Sequence, residues 1–97
     1  MQKRTQLHSE KTVLGDSGVR YNLRYSIIIE EAEFHGGLIE NYEVVVEKKC
    51  VSRGELQIKH VYGITISAER IYDITERVSE GLVMPDQLLE VLENLIG

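Results

Sequence analysis

Between Val19 and Ile29 apolar and polar residues alternate. Val19, Tyr21, Leu23, Tyr25, Ile27 and Ile29 take the odd positions, with Arg20, Asn22, Arg24 and Ser26 between them. A period of two predicts a strand buried on one face, here over about 19–34. Beyond Phe34-His35-Gly36-Gly37 the apolar set moves to even positions, Tyr42, Val44 and Val46. After Val51-Ser52-Arg53-Gly54 it stays even, through Leu56, Ile58, His60, Tyr62, Ile64 and Ile66. These runs predict two further strands, about 38–50 and 55–66. A two-residue Gly36-Gly37 turn pairs His35 with Leu38, which sets Ile29 opposite Val44 and Ile27 opposite Val46. A three-residue Ser52-Arg53-Gly54 loop, with Gly54 left-handed, pairs Val51 with Glu55 and sets Val44 against Tyr62 and Val46 against His60. Both turns preserve one common apolar face, and a slip of one residue in either reverses it.

Asp16-Ser17-Gly18 predicts an earlier turn, folding a short strand at about 12–15 onto the first long one, with either Val13 or Leu14 inward. Residues 1–10 carry no period and read as a flexible tail, leaving one domain over 11–97. From Ser67 the period lengthens. Ser67 suits an N-cap, and Ala68, Ile71, Ile74, Val78 and Leu82 follow at helical spacing, predicting a helix over about 68–80 that stops at Gly81. Met84-Pro85-Asp86-Gln87 restarts a helix over about 85–96, with Pro85 in its first turn and Asp86 at the positive end of its dipole. Leu88, Val91, Leu92 and Leu95 make its apolar stripe, widened by Leu89 and Ile96. The expected architecture is α+β: an antiparallel meander of three long strands with a short fourth at its start, then two C-terminal helices packed on one face.

Composition narrows the class. Of 97 residues, 42% are hydrophobic and 28% charged, as in folded globular chains and unlike disordered ones. No apolar run is long enough for a membrane span, and the polar start Met1-Gln2-Lys3-Arg4-Thr5-Gln6 leads into no signal sequence. The one cysteine, Cys50, permits no internal disulfide, which points to the cytoplasm. The net charge of −5 falls wholly in residues 67–97, where seven acidic groups face only Arg70 and Arg77. Such a surface repels a phosphate backbone, so no nucleic-acid partner is expected. Tyr21 and Tyr25 also point inward while Arg20 and Arg24 point outward, which offers bases no stacking platform.

Val61-Tyr62-Gly63-Ile64-Thr65-Ile66-Ser67 leading into a helix, and Leu82-Val83-Met84-Pro85 leading into Leu88-Leu89-Glu90-Val91-Leu92-Glu93-Asn94-Leu95, form a recognisable pattern. It resembles a family of small domains of unknown function from clostridial Gram-positive bacteria, over about residues 20–97. The resemblance implies a hairpin-rich first half, a closing strand, a helix, a proline restart and a final helix. This chain departs from it at Gly63-Ile64-Thr65, where an acidic residue is usual, at Met84, where a capping Ser or Thr is usual, and at Asn94, where an acid is usual. It implies no activity, cofactor or catalytic residue.

The side chains that could carry chemistry are few. His60 lies on the predicted apolar face between Ile58 and Tyr62 and reads as a core-edge histidine in need of a partner. Its functional alternative is a pocket between sheet and helices lined by His60, Tyr62 and Tyr42. His35 sits near Glu30, Glu31 and Glu33, but at a spacing that matches no metal-ligand pattern, so no metal is expected. Cys50 shares the inward parity, opposite Leu56, and reads as a small buried hydrophobe, although Lys48, Lys49 and Arg53 would favour a thiolate. No serine has a nucleophile elbow, and the glycines form no phosphate loop. Asp73, Glu76 and Glu80 alternate with Arg70 and Arg77 as a solvated helix face. No catalytic residue and no cofactor are assigned.

Partner surfaces remain. The last strand forms a sheet edge guarded only by Lys59, and the last helix is apolar beyond what one sheet face needs. Leu88, Leu89, Leu92, Ile96 and Tyr72 are the interface candidates, for a homodimer or for another protein. The expected function is a non-enzymatic interaction or regulatory module, with a small-molecule binder or weak enzyme as the alternative.

Overall fold

In the computed structural model, which describes residues 3–15, 17–63, 65 and 67–96, the alternating segments form one antiparallel sheet with its strands in chain order. The elements are β1 (Lys3–Leu14), β2 (Arg20–Phe34), β3 (Gly37–Cys50), β4 (Leu56–Val61), α1 (Ala68–Glu80), a single 3₁₀ turn at Pro85–Gln87, and α2 (Leu88–Ile96). The α+β meander with two C-terminal helices is therefore the fold. Among the described residues no helix is long and apolar enough to cross a membrane.

β2 and β3 pair from Tyr21–Cys50 to Phe34–Gly37. The two residues of the turn are His35 and Gly36, at φ 50° and 78°, and not the two glycines. A turn of this hand needs positive φ at both central positions; histidine tolerates it and Gly36 adopts it freely. The register therefore slides by two, setting Ile29 against Tyr42 and Ile27 against Val44. A slide of two keeps every side chain on its face, so the inward set is the expected one.

β4 is a correction. The loop before it has four residues, Val51–Gly54, closed by Cys50 N–H donating to the Glu55 carbonyl at 2.9 Å and Gly54 N–H donating to the Cys50 carbonyl at 2.8 Å. Gly54 is left-handed, at φ 73°. The extra residue shifts the register by one: Lys49 faces Leu56, Val46 faces Lys59, Val45 faces His60 and Val44 faces Val61. Leu56, Ile58 and His60 thus lie on the face away from the helices, and Val61 is the β4 residue that packs on the core. The strand ends at Val61, short of the expected 66; Ile64 and Ile66 lie outside the described residues, as does Asp16 of the first turn.

β1 is the second correction. From Lys3 opposite Glu30 to Leu14 opposite Arg20 it pairs along β2, where a tail and a strand of about four residues were expected. Its helix-side residues are polar because α1 offers them polar partners, which erases the apolar period. A bulge at His8 turns both His8 and Ser9 toward α1. His8 Nε2 and Glu76 Oε2 lie 2.7 Å apart, Ser9 bonds to Ser79, and Lys11 Nζ donates to the Ser79 carbonyl at 2.9 Å. Val13 is the inward residue and packs on the core; Leu14 is exposed.

The core lies between the helices and β2–β3. Leu23, Tyr25, Ile27, Val44 and Val46 meet Ile71, Ile74 and Val78 of α1, Val83, and Leu88 and Leu92 of α2. Burial of each large aliphatic side chain contributes about 1.5–3 kcal/mol. Ser67 Oγ accepts from Arg70 N–H at 3.3 Å and starts α1; Gly81 N–H donates to the Arg77 carbonyl at 3.0 Å and ends it. Tyr25, buried among aliphatics, gives its hydroxyl to the Val83 carbonyl at 3.0 Å and pins the interhelical loop to the sheet. Past Glu30 and Asn41 no strand among the described residues pairs with the β2–β3 hairpin, although Arg4 of β1 reaches Glu31 and Glu40, and this extension helps draw the molecule out to 53 Å.

Candidate functional site

Among the described residues β4 pairs with β3 alone, so its outer edge carries unpaired backbone groups. Apolar side chains flank that edge on both faces. On the open face lie Leu56 and Ile58, 52% and 47% exposed. On the helix side α2 packs beside the end of β4, and Val61, Tyr62, Gly63, Leu89, Leu92 and Ile96 enclose a groove of about 330 Å³, with Glu93 at its polar margin. Edge strand and last helix, two separate candidates in the sequence, are one surface in the fold. Leu88 and Leu92 are fully buried, so the side chains that α2 leaves at the surface there are Leu89 and Ile96. Tyr72 stands apart, on α1, giving its hydroxyl to Gln6 Oε1 of β1 at 2.9 Å.

Directly behind Tyr62 and Gly63, a cavity of about 290 Å³ opens on the helix-free side. Ile28 and Glu30 of β2 face Glu43 and Asn41 of β3 across its floor, and Tyr62 forms a wall. Glu43 is the unusual member. Its side chain is only 7% exposed, and its Oε1 accepts from the His60 imidazole, Nδ1 lying 2.5 Å away. A carboxylate this buried needs such a donor, because desolvation penalises the charge. Glu30 Oε2 is met by Lys3 Nζ at 3.1 Å, and this carboxylate draws the Lys3 ammonium's pKa above its usual value, by hydrogen bond first and by charge second.

His60, Tyr62 and Tyr42 were expected around a pocket between sheet and helices. Tyr62 lines this cavity and His60 joins it through Glu43, on the opposite side of the sheet, whereas Tyr42, opposite Ile29, keeps its expected place in the helix-side core and only borders the cavity. The reversed face of β4 is the reason. Tyr42 is buried and gives its hydroxyl to Glu40 at 3.0 Å; burial first, and the Glu40 carboxylate second, push its pKa up. Cys50 faces Tyr21 on the helix side and His60 faces Val45 on the open side, so the two form no dyad. The Cys50 thiol pKa is lowered by the Ser52 hydroxyl 3.5 Å away and by the Arg53 backbone.

Two residues escaped the sequence. Glu43 sits at an odd position of β3, where a polar residue on a solvated face is ordinary, and nothing local marks it as buried. His8 was assigned to a tail, and its pairing with Glu76 needs α1 to be folded beside β1. Chemically, the region holds an imidazole–carboxylate pair, a second carboxylate, an amide and a phenol around a small cavity, next to an apolar groove and an open strand edge. The carboxylates and the phenol ring have the chemistry that suits cations, and the groove has the chemistry that suits apolar groups; the Cys50 thiol is elsewhere.

No curated protein and no solved structure matches this chain. A family model does: the chain belongs, over residues 4–97, to a family of unknown function, DUF6514.

Proposed function

We propose that this member of a family without an assigned activity is a non-enzymatic protein–protein interaction module, which receives an extended strand along β4. The observation that carries the reading is the open edge of β4 with apolar side chains on both flanks, Leu56 and Ile58 on one face and Leu89 and Ile96 on the other. Backbone bonds along such an edge supply affinity for any extended chain, and the flanking side chains select among them. A second copy or another protein serves as the strand. The lone cysteine, without a disulfide, supports a reducing bacterial cytoplasm as the setting.

The test compares wild type with Ile58→Lys and Leu89→Asp, both at exposed positions, by light scattering for self-association and by quantitative mass spectrometry of proteins retained from native extract. Wild type shows a dimer or one stoichiometric partner, and both variants lose it with unchanged circular dichroism. A monomer without partner, or an association that both variants keep, overturns the reading.

The cavity beside Glu43 and His60 favours one second reading, a small-molecule binder. A thermal-shift screen against metabolites, with His60→Ala as control, separates the two: stabilisation by one compound, lost in the variant, supports the cavity.

A further inference from the structure

We infer that the strand received by β4 belongs to a different protein and carries an apolar residue followed or preceded directly by an arginine, the apolar side chain entering the groove and the guanidinium the cavity. The inference rests on the strand-addition reading and names its partner's chemistry. Groove and cavity share Tyr62 and Gly63, so they lie back to back at the same end of β4, one on the helix side and one on the open side. Neighbouring residues of an extended chain project to opposite faces. A strand laid along this end therefore presents one side chain to each depression, from adjacent positions.

The two depressions ask for different chemistry. Leu89, Leu92, Ile96 and Val61 make the groove apolar. The cavity has Glu43 and Glu30 on its floor, Asn41 beside them, and the broad, 71% exposed Tyr62 as a wall. His60 binds Glu43 through Oε1 and Lys3 binds Glu30 through Oε2; a carboxylate accepts several hydrogen bonds, so both retain capacity. An aromatic face beside carboxylates is the setting in which a planar guanidinium stacks and donates at once, better than an ammonium does.

The same geometry argues against a second copy. Strands that pair antiparallel keep opposed residues on one face. A second β4 would place Leu56, Ile58 and His60 on the open side and Gln57, Lys59 and Val61 on the helix side. It offers the cavity no arginine at any register, and its Ile58–Lys59 pair would meet the two depressions reversed.

The experiment titrates the full chain with short capped peptides of alternating Thr and Val that differ only at the centre: Leu-Arg, Leu-Gln or Leu-Glu. Binding is followed by fluorescence anisotropy at low salt, and the oligomeric state of the free chain by light scattering. Leu-Arg binds about tenfold tighter than Leu-Gln, and Leu-Glu weakest of the three. Tyr62→Ala, at an exposed position outside the core, and Glu43→Gln each remove most of that preference, with circular dichroism unchanged. Equal binding of all three peptides overturns the arginine inference and leaves strand addition standing. Binding of none overturns both, and a wild-type dimer broken by Ile58→Lys overturns the inference in favour of self-pairing.

Discussion

Tyr25 shows how one side chain ties packing to pH. Its ring is fully buried, its hydroxyl reaches the Val83 carbonyl, and burial pushes its pKa up to about 12. An unfolded tyrosine ionises near 10, so at high pH the unfolded chain loses this proton first. The contribution is whole below about pH 10 and is lost as pH rises toward 12. Urea midpoints measured across that window should fall, and Tyr25→Phe should flatten the fall while costing about 1 kcal/mol at neutral pH through the lost hydrogen bond. Cys50 gives the opposite direction. Since the Ser52 hydroxyl is the first cause of its lowered pKa, Ser52→Ala should move the alkylation–pH profile of the thiol to higher pH. The sequence reads His60 as a core-edge histidine in need of a partner; it has a partner, but it lies on the open face with its side chain 42% exposed. That its partner is Glu43 was not legible, since the pairing depends on a register set by a loop one residue longer than the apolar pattern suggests.

At the level of elements, α1 and the β2–β3 faces follow from the sequence because their signals are redundant: cap, period and stop agree from Ser67 to Gly81. β4 lacked redundancy. Its alternation of Leu56, Ile58 and His60 fits either face, and the length of one loop decides between them, leaving Leu56 and Ile58 half exposed. β1 gave a signal only at its end, where Val13 points inward; before that its inward side is Gln6, His8, Ser9 and Lys11. Three predictions belong here. His35 occupies the first left-handed position of the β2–β3 turn, where asparagine is at ease, so His35→Asn should raise stability by about 0.5–1 kcal/mol in urea unfolding. In α2, Leu92→Ala should cost about 2–5 kcal/mol by opening a cavity under the helix. Leu89→Ala, at the rim of the groove, should shift stability by roughly 0.5 kcal/mol or less.

Across the whole molecule two kinds of attachment coexist. α1 and α2 are held to β2 and β3 by apolar contacts, while β1 adheres to α1 through the His8–Glu76 pair, the two serines and Lys11. Among the described residues backbone bonds join β1 to β2 only, and its contacts with α1 are polar and in part open to water. Native-state hydrogen exchange should therefore find β1 amides opening well below the free energy of global unfolding, with β2 and β3 opening only with it. The combined surface of β4 and α2 is a property of this scale too, since residues 61–63 and 89–96 become neighbours only when the helices close over the sheet. The polar seam under β1 has a calorimetric consequence. Exposing apolar surface raises heat capacity and exposing polar surface lowers it, so global unfolding of a domain this size carries about 1.2–1.5 kcal/mol/K. Peeling β1 away exposes mostly polar groups and should carry almost none, so its free energy should vary nearly linearly with temperature while that of the rest is a dome.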